Sequence, residues 1–155
     1  MKNLLNIALV ITFCLGMISC SSSQNNFNSK KASAEKIKST LNNTLWVLKR
    51  IDVDNRDFIP TEEQKELVLG FDFTNNFYNT SDGCNGQGGE FKVEDNKINF
   101  SAGMSTMRYC GEEMKHLIYR VPLGKVKSMQ IKKNQLQLFD ENNVLIATYN
   151  KKDAL

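Results

Sequence analysis

Histidine is almost missing from this chain: His116 is the only one among 155 residues. A multi-histidine metal centre is therefore excluded within one chain. Cys110 lies six positions from His116, a spacing that does not stack on a helix face, so a Cys–His nucleophile is not indicated. An excess of one charge is lacking too. The 20 Lys and Arg residues stand against 17 Asp and Glu, for a formal net charge of +3. No concentrated basic face accompanies that small surplus, which gives no case for nucleic acid as a partner. The acidic pairs Glu62-Glu63 and Glu112-Glu113 are sequence neighbours whose side chains point apart, so paired acid and base work is not indicated either. No internal repeat is visible.

Lys2 precedes an uncharged apolar run, Leu4 to Ile18, which only Asn6 and Thr12 interrupt. Such a segment is a secretory signal, shorter than the roughly 20 residues a bilayer span needs. Met17-Ile18-Ser19-Cys20 resembles a bacterial lipobox, in which the cysteine is acylated and becomes the first mature residue. Bulky Phe13 makes Cys14 the poorer candidate. The expectation is a signal peptide over residues 1–19 and a lipid anchor on Cys20 at the periplasmic face of the outer membrane. Residues 20–42, rich in Ser, Asn and Lys with little beyond Phe27 and Ile37 to bury, read as a flexible tether. The folded domain is expected over residues 43–151, with a tail at 152–155.

Of the four cysteines, export and acylation leave Cys84 and Cys110. An even pair in an exported protein suggests a disulfide. Two buried free thiols are the alternative, since cysteines held apart in a fold cannot pair.

From Thr44 onward, short alternating runs separated by Asn, Asp and Gly indicate an antiparallel sheet. The expected strands are TLWVLKRIDV, LVLGFDF, NFYNTS, GEFKVE, KINFSA, SMQIKK, QLQLFD and VLIATYN. Asp95-Asn96, Lys133-Asn134 and Glu141-Asn142-Asn143 supply turns. DNRDFIPTEEQKE reads as a loop, with one helical turn after Thr61. A helix is expected over residues 111–121, with Met114, Leu117, Ile118 and Val121 on its apolar stripe and Pro122 ending it.

The stretch TSDGCNGQGGEF, residues 80–91, concentrates four of the nine glycines. It is not a phosphate-binding loop, because Glu90 and Phe91 follow Gly88-Gly89 where a lysine and a hydroxyl residue belong. Nor is it a dinucleotide fingerprint, because a strand follows it. Gly83, Gly86, Gly88 and Gly89 are instead expected to provide positive φ, a bulge or close backbone approach in a turn. Asp52, Asp54 and Glu63 hold three positions of a calcium loop, but Arg56, Asp57 and Pro60 break it. No metal site and no cofactor are implied.

The order of features then resembles one family. Leu45-Trp46-Val47-Leu48, Gly83-Cys84-Asn85 with Gly88 or Gly89 after it, and Ser105-Thr106-Met107-Arg108-Tyr109-Cys110 resemble the META domain, also called the HslJ-like heat-shock lipoprotein family. The usual Thr-Arg-Met-x-Cys order stands here as Thr106-Met107-Arg108-Tyr109-Cys110, and Gly86-Gln87 replaces an aromatic residue. The resemblance implies an α+β domain: a strongly curved, mostly antiparallel β-sheet, a partial barrel, with one packed α-helix. It implies Trp46, Thr106, Met107 and Arg108 as family-motif residues, and Gly83, Asn85, Gly86, Gly88 and Gly89 as a signature turn. It also implies envelope lipoproteins linked to stress responses, without an established enzymatic activity. The expected role is a non-catalytic binding or stress-associated module. A periplasmic protease inhibitor, displaying the glycine loop or Asp52 to Gln64, and a small-ligand carrier are the alternatives.

Overall fold

A computed structural model of the chain describes residues 22–42, 44–53, 56–60, 67–112 and 120–152. It divides into two compact units, Met1–Ala32 and Ser33–Leu155. Within the described residues the first unit is helical. In the second, the described residues form ten strands: β1 (Leu45–Val53), β2 (Arg56–Phe58), β3 (Val68–Asp72), β4 (Phe77–Ser81), β5 (Gly86–Glu94), β6 (Lys97–Phe100), β7 (Met104–Ser105), β8 (Ser128–Lys132), β9 (Gln135–Phe139) and β10 (Leu145–Lys151). Eight of them form a closed antiparallel barrel in the order β1-β3-β4-β5-β6-β8-β9-β10, with β10 returning to β1. Closure removes the exposed edges of an open sheet. β2 folds back on β1 and β7 lies along β5.

Alternation along each strand sends one set of side chains inward. Trp46 and Leu48 of β1, Leu69 and Phe71 of β3, Phe91 of β5, Leu136 and Leu138 of β9, and Tyr149 of β10 are buried in one core. Trp46 Nε1 and Tyr149 OH are buried without a hydrogen-bond partner among the described residues. Burial pushes the Tyr149 phenol far above its ordinary value. A register shift between Leu48 and Arg50 lets Leu48 and Ile51, three residues apart, both be buried. Such bulges bend strands and aid barrel curvature.

An α+β architecture with a curved antiparallel sheet is therefore present, and the sheet is closed. The described α-helix, α1, covers Ser22–Leu41, where composition indicated a flexible coil. Its last turns explain the difference, because Leu41 is fully buried and Ile37 packs on the same core. These positions, four apart, share a helix face, and Ala34, Glu35 and Lys36 are good helix formers. The expected helix over 111–121 has residues 113–119, including His116, outside the described set. The signal segment and Cys20, the turn after Thr61, Glu62-Glu63 and the tail beyond Lys152 also lie outside it. Val121, which is described, packs against the core.

Two further expectations need correction. Arg56–Phe58 is strand rather than loop, paired with Val53 through Ile51. Gly86, Gly88 and Gly89 lie inside β5, which begins three residues earlier than alternation indicated. The reason is local: a Cβ on Gly88 would stand 2.6 Å from the Phe77 ring, and one on Gly89 would stand 2.9 Å from Gly103 Cα. Gly88 and Gly89 permit close packing across a sheet, not a turn, whereas a Cβ on Gly86 would meet open space. The expected hairpin at Asp95-Asn96 is present, with Asp95 in the left-handed region at φ 55°.

Candidate functional site

The signature residues converge at one end of the barrel, where β4 passes into β5. Asp82 begins a tight turn, Gly83 supplies its positive φ of 91°, and Asn85 closes it. The Asp82 carboxylate accepts the Cys84 and Asn85 N–H groups through Oδ1 at 3.0 and 2.6 Å. Its Oδ2 accepts Arg120 Nε at 2.9 Å. Asp82 is only 1% exposed. Burial opposes its ionisation, but the Asn85 and Cys84 N–H groups and the Arg120 guanidinium outweigh that and hold the carboxyl below its ordinary value.

Asn85 joins this turn to the segment that carries β7. Its Oδ1 accepts the Thr106 hydroxyl at 2.9 Å and the Arg108 N–H at 2.7 Å, while Nδ2 donates to Arg108 O at 3.4 Å. A single amide side chain thus stands in for a strand neighbour, with donor and acceptor both used. Thr106 adds a backbone bond to Gly86 O at 3.0 Å, and its hydroxyl accepts the Gly86 N–H at 3.2 Å. The Arg108 guanidinium donates to Cys84 O at 3.0 Å. Cys84 and Cys110 form a disulfide with Cα atoms 6.1 Å apart, an ordinary separation for the bond.

These bonds hold a segment that is otherwise bare. Met104 is 80%, Met107 97% and Tyr109 77% exposed. The polar groups beneath are committed to one another, and the apolar groups above face solvent. Among the described residues, no group of three or more His, Cys, Asp or Glu side chains is placed to hold a metal. Trp46 lies apart from this knot, buried in the barrel core.

The META domain family model matches residues 39–153. The chain belongs to the META domain family. No curated protein sequence matches this META domain chain. Its fold is similar to the NMR structure of a protein from Burkholderia xenovorans, at 19% identity and a TM-score of 0.52, covering 77% of this chain and 88% of that one. It is also similar to the crystal structure of a DUF4847 family protein from Bacteroides vulgatus, at 13% identity and a TM-score of 0.49, covering 76% of this chain and 99% of that one.

Within this META domain, Cys84 and Cys110 pair, as an even pair of cysteines suggested, and Gly83, Asn85, Thr106 and Arg108 lie around that bond. Gly88 and Gly89 stand along β5, and Met107 points outward. Asp82 and Arg120 were missed. Asp82 immediately precedes the Gly-Cys-Asn signature, and an Asp two residues before a buried N–H is a recognisable turn former. Arg120 carries no comparable local signal, being 38 residues away.

Proposed function

We propose that this META domain belongs to a lipid-anchored envelope protein and acts as a non-catalytic binding module that presents the segment Gly103–Tyr109 to a protein partner. One observation carries the reading: three large apolar side chains are displayed on a segment fastened from beneath by a disulfide, Asn85 and Arg108. Exposed apolar patches mark interaction sites more often than isolated exposed residues do, and a pre-ordered segment loses less entropy on docking. Asp82, Asn85, Thr106 and Arg108 are each hydrogen-bonded inside the knot, so none stands poised as nucleophile or base. The glycine loop of the inhibitor reading is buried at Asp82, Cys84 and Asn85. If a protease is the partner, Gly103–Tyr109 is the segment that would meet it.

The anchor rests on Met17-Ile18-Ser19-Cys20, and mass spectrometry of the mature amino terminus tests it. Docking is tested by a photoreactive residue at Met107 of the lipidated protein in its own envelope. An adduct with another envelope protein, absent when the probe sits at the exposed Lys133, is expected. The same adducts from both positions, or none from Met107, would remove the display segment from the account.

A further inference from the structure

The outer face of β3, β4 and β5 carries a second pattern. Pairing register places Leu45, Gly70, Asn79, Gly88 and Met104 in one row across five strands. The adjacent row is Asp72, Phe77 and Glu90. The two glycines of the first row let the Phe77 ring lie close over Gly88 and the Asn79 amide close over Gly70. Leu45 and Phe77 remain 43% and 39% exposed beside it, bounding a groove of about 470 Å³ that Asp72 and Asn79 also line. In the second row the partly exposed Phe77 is in register between Asp72 and Glu90, which sit on the strands to either side of β4, each roughly 4.8 Å from it.

Neither Asp72 nor Glu90 is in an ion pair among the described residues. Asp72 is fixed by Asn75 Nδ2 at 2.7 Å and by the Thr74 and Asn75 N–H groups at 2.8 and 3.3 Å. The nearby cations are occupied: Lys92 pairs with Glu94 at 2.9 Å, and Lys38 Nζ lies 5.8 Å from the Phe73 ring centroid. Lys152 stands at the far rim, its N–H bonded to Leu45 O. An aromatic face attracts a cation through its quadrupole, and a cation above Phe77 would have a carboxylate on either side.

We propose that this face docks a basic segment of a partner protein, with an arginine or lysine side chain over Phe77 between Asp72 and Glu90, and an apolar neighbour in the groove beside Leu45 and Gly70. The first row ends on Met104 of the display segment, but the groove and Phe77 lie outside that segment and include no part of Met107.

The test titrates the full chain, in neutral detergent micelles, with the peptide Leu-Arg-Leu-Arg-Leu while amide NMR signals are followed. Signals of Phe77, Asn79 and Gly88 should move, and the effect should shrink with added salt. Glu90→Gln, whose side chain is not used in the fold's described hydrogen bonds, should weaken binding by about threefold or more, on the scale of one cation–π or exposed charge contact. Phe77→Leu should weaken it similarly, while Met107→Ser should leave it unchanged. Equal binding of Leu-Glu-Leu-Glu-Leu, or unchanged affinity in both Glu90→Gln and Phe77→Leu, would overturn the proposal. Movement of the same amides by anionic phospholipid vesicles would also overturn it, making the face a lipid surface.

Discussion

Near α1, the barrel is closed by rings: Phe71 meets Phe91 edge to face at 5.1 Å, Phe73 meets Phe91 at 4.9 Å, and Leu41 and Ile37 pack on the same cluster. At the opposite end, where β4 turns into β5, it is closed by one disulfide and by hydrogen bonds through Asp82, Asn85, Thr106 and Arg108. The first end gains stability from non-directional burial. The second gains little net free energy per bond but fixes where a segment sits, and so it can leave Met104, Met107 and Tyr109 in water. Burial holds one end, whereas a covalent bond and directional hydrogen bonds hold the other and set the place of an exposed segment.

The difference can be broken first in the core. Leu69→Ala, at a fully buried position, should cost roughly 2 to 5 kcal/mol. Urea unfolding measures it, and a cost under about 0.5 kcal/mol, typical of exposed sites, would place Leu69 outside a packed core. Replacing both Cys84 and Cys110 by Ala opens a loop of 26 residues' separation. That should cost roughly 3 to 4 kcal/mol in the chain-entropy model while leaving the far-ultraviolet circular dichroism unchanged.

Asn85→Ala leaves the Arg108 N–H without its acceptor and should cost roughly 1 to 3 kcal/mol. Its more telling effect is sharper crosslinking-independent mobility of Met107, seen as narrowed methyl NMR lines with the core methyls unaltered. The Asp82 carboxyl is held low in the folded chain, so the unfolded chain binds the proton first as pH falls. Its contribution is full above the unfolded value near 4 and is lost as pH drops through the lower folded value. Asp82→Asn should therefore flatten the loss of stability between pH 5 and pH 3, about the window in which an ordinary carboxylate titrates. Met107→Ser should change stability by less than about 0.5 kcal/mol, and a larger cost would mean that Met107 is packed.

Most of the barrel is legible in the sequence because alternation is local. Trp46 and Leu48, Ile98 and Phe100, and Leu136 and Leu138 announce their inward faces, and Asp95 and Lys133 mark hairpins. The closure of β10 on β1 is not legible, since it pairs residues about a hundred positions apart. β2 and β7, three and two residues long, are too short to show a period. Gly86, Gly88 and Gly89 suggest a turn by residue type, and only Phe77 and Gly103 lying across the sheet reveal why glycine stands in the strand at 88 and 89. The helix α1 is hidden for a related reason, because among the described residues its hydrophobic contacts with the core come from Ile37 and Leu41. In the site, Cys84, Asn85 and Cys110 are visible from their motif, whereas the Asp82–Arg120 pair depends on tertiary approach.

Amide hydrogen exchange along Met104–Tyr109 tests the claim that this segment is exposed yet held. With the disulfide intact, the Thr106 and Arg108 amides, bonded to Gly86 O and Asn85 Oδ1, should exchange far more slowly than the Met107 amide between them. After reduction, both should move toward the rate of an unstructured peptide while Leu69 and Leu138 stay protected. Thr106 and Arg108 exchanging at peptide rates in the oxidised protein would contradict the account, because the display segment would then be a loose loop.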